Sequence, residues 1–311
     1  MKVAVTGATG FVGGYVVNEL LRRGHWVRAL VREPGIQSRF NRPVEPVVGD
    51  LTDPASLDPF ARGCDAVVHL VGIIHEKAGR SFDQIHRQGT ENVVVAASRA
   101  GVGKYVQMSA MGSSASSPSE YGRTKAMGEE AVKRSRLDWT IFRPSIIFGP
   151  GDGFVSLLAR IIRRNPVFIP VIGSGTVRFM PVSVRDVARL FADSLEKAEA
   201  SKKSFDVGGP GIFTQDEINR EIAVALGKPR KPLVHFPIAF GSLLARANSL
   251  VPRFILPQPL LTVDQLKSLS QDSVADTSAA ASVFGPIERD FRSGIREYIR
   301  PPSRHDPTIG I

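Results

Sequence analysis

Thr6-Gly7-Ala8-Thr9-Gly10-Phe11-Val12-Gly13 follows the apolar run Val3-Ala4-Val5 and opens onto Val16-Val17 and Leu20-Leu21. An apolar run of strand length, a glycine-rich turn and an apolar pattern of helical period make a strand, a loop and a helix. A buried strand that passes into a helix within a few residues needs a backbone free of Cβ constraints, and Gly7 permits that turn. Gly10 lets the backbone approach a pyrophosphate, and Gly13 lets the helix pack close to the strand. The unpaired N–H groups of the helix start and its positive dipole end then face the phosphates. Thr9, Phe11 and Val12 complete the candidate phosphate-binding loop. A tight turn without a ligand is the bland alternative; the placement directly between strand and helix favours the site.

Composition sets the outer bounds. The chain has 311 residues, 42% hydrophobic and 23% charged, which is enough for one large α/β domain and a smaller lobe. Cys64 is the only cysteine, so no internal disulfide can form. The first strand begins at Lys2 and leaves no room for a leader, so a cytoplasmic location is expected, with membrane association open. A net charge of +10 and a pI near 10.0 suit an anionic partner. The cations are scattered, however, and pairs such as Arg22-Arg23, Arg163-Arg164 and Lys202-Lys203 fall near expected helix ends, so solvated faces are favoured over a nucleic-acid role.

The Gly-x-x-Gly-x-x-Gly spacing, and the octapeptide as a whole, resembles the extended and atypical short-chain dehydrogenase/reductase superfamily. That resemblance implies an α/β fold, a doubly wound parallel sheet of Rossmann type with the first strand at its centre, and a smaller carboxy-terminal substrate lobe. It also implies a nicotinamide dinucleotide. The second strand ends at Val31-Arg32, where a guanidinium can pair with a 2′-phosphate; Arg39 lies seven residues on, and Glu33 stands near the position of the acid that binds NAD ribose. NADP is the expected cofactor, NAD the alternative. Gly49-Asp50-Leu51-Thr52-Asp53 matches the adenine-side loop, so Asp50 would accept from the adenine amino group and Leu51 flank the ring, while Asp53 reads as a helix cap.

Asp65 to Gly72 reads as the fourth strand. Leu70 and Gly72 sit at its carboxyl end, where ligands of open parallel sheets bind, and His69 reads as packed core. No histidine lies at metal-ligand spacing from cysteine or carboxylate. His86-Arg87-Gln88-Gly89-Thr90-Glu91-Asn92 resembles the helix under the cofactor, with His86 and Arg87 replacing its usual Asn-Val.

Glu120-Tyr121-Gly122-Arg123-Thr124-Lys125 carries Tyr-x-x-x-Lys, which puts Tyr121 and Lys125 on one helical face. Lys125 and the nicotinamide cation would pull the phenol, ordinarily near pKa 10, toward neutrality, so that Tyr121 passes a proton while hydride moves. Lys125 would also hold the nicotinamide ribose. Ser109 is the candidate substrate anchor, one residue early: Ala110 occupies the aligned position, and Ser113 and Ser114 lie further on. Arg143-Pro144 and Gly149-Pro150-Gly151 resemble the segment that passes the nicotinamide, with Pro144 beside it.

The expected division is a dinucleotide-binding domain of residues 1–150 plus about 177–200, a lid lobe of 151–176 plus 205–300, and a mobile tail from 301 to 311. Lys228-Pro229-Arg230-Lys231-Pro232 leads into a basic amphipathic helix with Phe240, Leu243, Leu244, Ala247 and Val251 on one face, a lid or a surface for a membrane or protein partner. Leu260 to Leu269, Phe284-Gly285-Pro286 and Ile295 to Tyr298 resemble bacterial relatives of the nucleotide-binding accessory subunit of respiratory complex I. Two functions compete: an NADP-dependent oxidoreductase, epimerase or dehydratase using Tyr121 and Lys125, and a cofactor-holding structural protein that docks to a partner. Retention of the tyrosine and lysine favours the enzyme.

Overall fold

The computed structural model describes residues 1–35, 40, 43–77, 79–243, 262–268 and 270–301. Arg39, Leu244, Ala247, Val251, Leu260, Leu261, Leu269 and the tail beyond 301 lie outside the described residues. The chain forms two compact units: Met1–Ser145 with Val184–Gly208 and Ala275–Ile287, and Ile146–Ser183 with Gly209–Val274 and Glu288–Ile311.

The first unit is a seven-stranded sheet. Its elements are β1 (Lys2–Thr6), α1 (Phe11–Arg22), β2 (Trp26–Val31), β3 (Glu45–Val48), α2 (Leu57–Ala61), β4 (Ala66–His69), α3 (Gly89–Arg99), β5 (Lys104–Met108), α4 (Glu120–Arg134), β6 (Asp138–Pro144), α5 (Val184–Asp193), β7 (Lys203–Val207) and α6 (Ser278–Phe284). The strand order is β7-β6-β5-β4-β1-β2-β3, all pairs parallel. Parallel strands are covered on both faces, which is why Val3, Ala4 and Val5 run apolar without alternation and are fully buried. The doubly wound fold expected from the sequence is therefore present. β1 lies inside the sheet between β2 and β4, but the midpoint falls on β4, one strand from the expected place, because three strands follow on that side.

α1 buries Val12, Val16, Val17, Leu20 and Leu21 and is tied to α5 by Arg23 and Asp193, 2.7 Å apart. A core containing Leu57, Phe60, Val93, Ala97, Tyr105 and Ile141 packs α2 and α3 on the sheet. Phe142 of β6 stands 5.0 Å from Phe191, 5.9 Å from Phe205 and 5.4 Å from Phe284 between ring centroids. These rings explain two departures from the expected domain limits: β7 adds to the sheet beside β6, and Ala275–Ile287 packs with the sheet unit, whereas the sequence places 205–300 in the lid.

The second unit centres on the helices Phe154–Arg164 and Gln215–Ala225, the latter opened by a reciprocal Thr214/Glu217 capping box. Its core includes Val155, Ile162, Ile218, Ile222, Phe291 and Ile295. Among the described residues no helix is long and apolar enough to cross a membrane.

Candidate functional site

Gly7 adopts φ +71°, a conformation that side chains rarely take, and a Cβ on Gly13 would stand 2.0 Å from the Gly7 carbonyl oxygen. The loop therefore closes only with glycine at these two places. Gly10 N donates to Gly7 O at 2.9 Å and Gly10 caps α1 with no side-chain bond, while the first turn holds no acidic residue. The orphan N–H groups and dipole end are thus left for an anion. Thr9 and Gly10 are exposed, Phe11 is half-buried and edge-on to Tyr15 at 5.9 Å, and Val12 is buried on the core side. Leu70 N donates to both Thr6 O and Thr6 Oγ1 at 3.3 Å, and the Cβ position of Gly7 lies 3.1 Å from Val71 N, so Leu70 and Gly72 flank the glycine loop at the carboxyl ends of β1 and β4. These residues fit a dinucleotide pyrophosphate.

Arg32 is exposed directly after β2, and Gly49 N donates to Val31 O at 2.9 Å, which sets Arg32 beside the start of the Asp50 turn. Asp50 already has partners. Its Oδ1 accepts from Thr52 N at 3.0 Å and Thr52 Oγ1 at 2.9 Å, and its Oδ2 pairs with the Arg80 guanidinium. Burial pushes this carboxyl up, but the Thr52 bonds and Arg80 together hold it below its ordinary value. Leu51 is buried in the core with its carbonyl accepting from Asn92 Nδ2 at 2.7 Å. Asp53 accepts from Ala55 N at 3.2 Å as the cap expected of it. Arg80 escaped sequence reading because nothing in its neighbourhood connects it with a turn thirty positions earlier.

α4 begins at the N-cap Ser119, whose Oγ accepts from Gly122 N at 3.1 Å, and this fixes the register of Tyr121 and Lys125. Close packing of the helix on the preceding π-wound turn, Asp83–Gln88, depends on Gly128, where a Cβ would meet His86 O at 2.4 Å. Tyr121 is half-buried, edge-on to Phe82 at 6.0 Å and to His86 at 5.3 Å. Lys125 is buried, and its Nζ donates to Met108 O at 2.6 Å at the end of β5. The same Nζ and His86 Nε2 each lie 3.7 Å from where a Cβ on Gly72 would sit. Burial lowers Lys125 to about 8, partly offset by the Glu129 carboxylate. Burial pushes the Tyr121 phenol up to about 12. The expected pull toward neutrality is therefore absent in the chain by itself: desolvation disfavours the phenolate and shifts the phenol the other way.

Ser109, at the end of β5, is buried with its N donating to Phe142 O at 2.7 Å. Its hydroxyl bonds the Glu129 carboxylate and stands 3.5 Å from Ser113 Oγ. Glu129 is 1% exposed and accepts from Arg143 Nε at 2.8 Å, with Lys133 Nζ 3.4 Å away. Ser109 thus lies beside the Glu129–Arg143 ion pair, whose carboxylate stands one helical turn along α4 from Lys125. Pro144 is buried at the end of β6, its carbonyl accepting from Met111 N at 3.0 Å. His69 is core, as expected: its ring bridges Thr6 Oγ1 at 2.6 Å and Thr90 Oγ1 at 3.2 Å, and burial lowers it to about 3.

Parallel sheet and glycine loop define a nicotinamide-dinucleotide-binding protein of Rossmann type. More narrowly, the chain belongs to the NAD(P)H-binding family, which matches residues 7–198. It is 31% identical over 287 residues to the mitochondrial NADH dehydrogenase [ubiquinone] 1 alpha subcomplex subunit 9 of Arabidopsis thaliana, covering 88% of this chain and 71% of that one. It is 34% identical over 238 residues to a ceramide reductase of Caulobacter vibrioides, covering 76% and 73%. A dTDP-glucose 4,6-dehydratase of Streptomyces venezuelae with NAD bound shares the fold, with a TM-score of 0.74, 21% identity and 96% of each chain covered. The resemblance to the complex I accessory subunit read from the sequence is borne out.

Proposed function

We propose that this protein is an NADP(H)-dependent oxidoreductase that interconverts a carbonyl and an alcohol, with Tyr121 as proton donor and acceptor and Lys125 as its electrostatic partner. The observation that carries the reading is Lys125, an ammonium buried beside Gly72 at the strand ends where ligands of open α/β sheets bind, at the cost of desolvation. Gly7, Gly10 and Gly13 would hold the pyrophosphate, Arg32 the 2′-phosphate, Asp50 and Leu51 the adenine side, and Gly72, Lys125 and Pro144 the nicotinamide side. The bound nicotinamide supplies or accepts the hydride. As the carbonyl π bond breaks, the oxygen takes the Tyr121 proton, and the Lys125 charge stabilises the phenolate that remains. Tyr121 is protonated at neutral pH, the state a reductase needs at the start of its turnover, and burial only extends that state to higher pH.

A second reading has its own observation. Ala110 stands where a substrate anchor is expected; the similarity to a respiratory subunit, together with exposed Ile238, Phe240 and Leu243, favours a cofactor-holding protein docked to a membrane or protein partner.

The deciding experiment follows NADPH consumption with aldehydes, ketones, quinones and nucleotide sugars for wild type and Tyr121→Phe. Loss of general-acid assistance should lower turnover by roughly 10²–10⁴-fold with cofactor affinity retained. A tightly held nucleotide without Tyr121-dependent turnover of any class would sink the enzyme reading and leave the docking one.

A further inference from the structure

His86 replaces the asparagine at the start of the helix under the cofactor, and the oxidoreductase reading gives it no task. Its Nε2 accepts the Ile73 N–H at 3.0 Å, so the neutral ring carries its proton on Nδ1. That nitrogen lies 3.0 Å from Thr124 Oγ1, whose own hydrogen is directed to the carbonyls of Glu120 and Tyr121 at 2.8 and 3.1 Å; the threonine oxygen therefore accepts from the imidazole. Both nitrogens are used without charging the ring. Burial first, then the positive Lys125 on α4, hold the imidazole at about 2, and His69 on β4 adds to the effect. The ring meets Tyr121 at 89°, with Phe82 packed 5.5 Å from its centroid on another side.

We propose that His86 is a positioning residue that ties the Gly72-Ile73 loop to the Tyr121/Lys125 helix and, packed with Phe82, holds the Tyr121 ring edge-on. One ring does both jobs: its nitrogens span the loop and Thr124, and its edge contact sets the tyrosine. The proposal rests on the reading of Tyr121 as the proton donor, and it makes the neutral tautomer the working form. A protonated ring would lose its bond to Ile73 and place a second positive charge next to Lys125.

The chain has four tyrosines, so a carbon-13 label at tyrosine Cζ gives four resonances, with Tyr121 assigned by its loss in Tyr121→Phe. His86→Phe keeps a ring against Tyr121 but removes both hydrogen bonds; His86→Ala removes everything. In His86→Ala the Tyr121 resonance should move and its titration midpoint should fall from about 12 toward the ordinary 10 as water reaches the phenol. In His86→Phe the phenol should stay high while NADPH affinity drops roughly tenfold, because the Ile73 N–H is left unsatisfied. Where wild type turns over a substrate, His86→Phe should lower kcat with KM kept and leave the alkaline limb of the pH profile in place, whereas His86→Ala should displace that limb to lower pH. Unmoved Tyr105 and Tyr15 resonances certify the fold. An unchanged Tyr121 titration in His86→Ala, or unchanged NADPH affinity in His86→Phe, overturns the proposal. Absence of turnover in wild type overturns the oxidoreductase reading instead, and the titration and affinity still decide on His86.

Discussion

A methyl group on Gly13 would stand 2.0 Å from Gly7 O, a main-chain atom of the same loop, so no side-chain rotation relieves the clash. Gly13→Ala should therefore destabilise the fold by about 1–3 kcal/mol and displace the phosphate loop. Thermal unfolding reads the first effect, and a loss of at least roughly tenfold in NADPH affinity by fluorescence titration reads the second. Lys125 tests residue-scale electrostatics. Its ordinary pKa of 10.5 is lowered to about 8 on folding, so between those values the unfolded chain binds more protons and stability rises with pH. Wild type should gain stability relative to Lys125→Met as pH climbs from about 8 to 10.5, measured by urea unfolding; parallel curves would show that the ammonium is not desolvated. The glycines, Tyr121 and Lys125 were legible in the sequence because their spacing alone states the geometry. The Glu129–Arg143 pair near Ser109 was not, since its partners lie fourteen positions apart, one on α4 and the other on β6.

At the scale of elements, α1 and α5 are joined by a charge cluster in which Glu19 binds Arg22 and Arg23 and Arg23 reaches Asp193. The Arg22 bond is the largest influence on Glu19, whose carboxyl is lowered from 4.5 to about 2 against the opposing effect of burial. Its folded value lies below its unfolded one, so the contribution is complete above about 4.5 and disappears as pH falls toward 2. Glu19→Gln should flatten that part of the acid-unfolding profile followed by circular dichroism; an unaltered slope would mean the cluster does nothing for stability. Strands and long helices were readable from their apolar period because burial on two faces or one stripe imposes it. The π-wound turn Asp83–Gln88 and the docking of Ala275–Ile287 were not readable. The first depends on Gly128 admitting His86 O, and the second on Phe284 meeting Phe142 and Phe205 across the fold.

For the whole molecule, a dinucleotide that binds only the folded chain must stabilise it by mass action, whether or not chemistry follows. Ligand at a hundredfold excess over its Kd adds about 2.7 kcal/mol, so the rise in Tm orders the cofactors without any substrate in hand. The net charge of +10 raises affinity for both nucleotides, and the specific difference between them resides at the 2′ position. Arg32 is exposed after β2, whereas the Arg80 guanidinium is already neutralised by the Asp50 carboxylate; Arg32 is therefore the cation we propose for a 2′-phosphate. NADPH should raise Tm more than NADH at equal concentration. Arg32→Ala should lower the NADPH increment to that of NADH and leave the NADH increment unchanged, because the glycine loop and α1 start hold the pyrophosphate common to both. A preference that survives Arg32→Ala but vanishes in Arg80→Ala would transfer the 2′-phosphate contact to Arg80 and make Asp50 its counter-ion rather than an adenine acceptor.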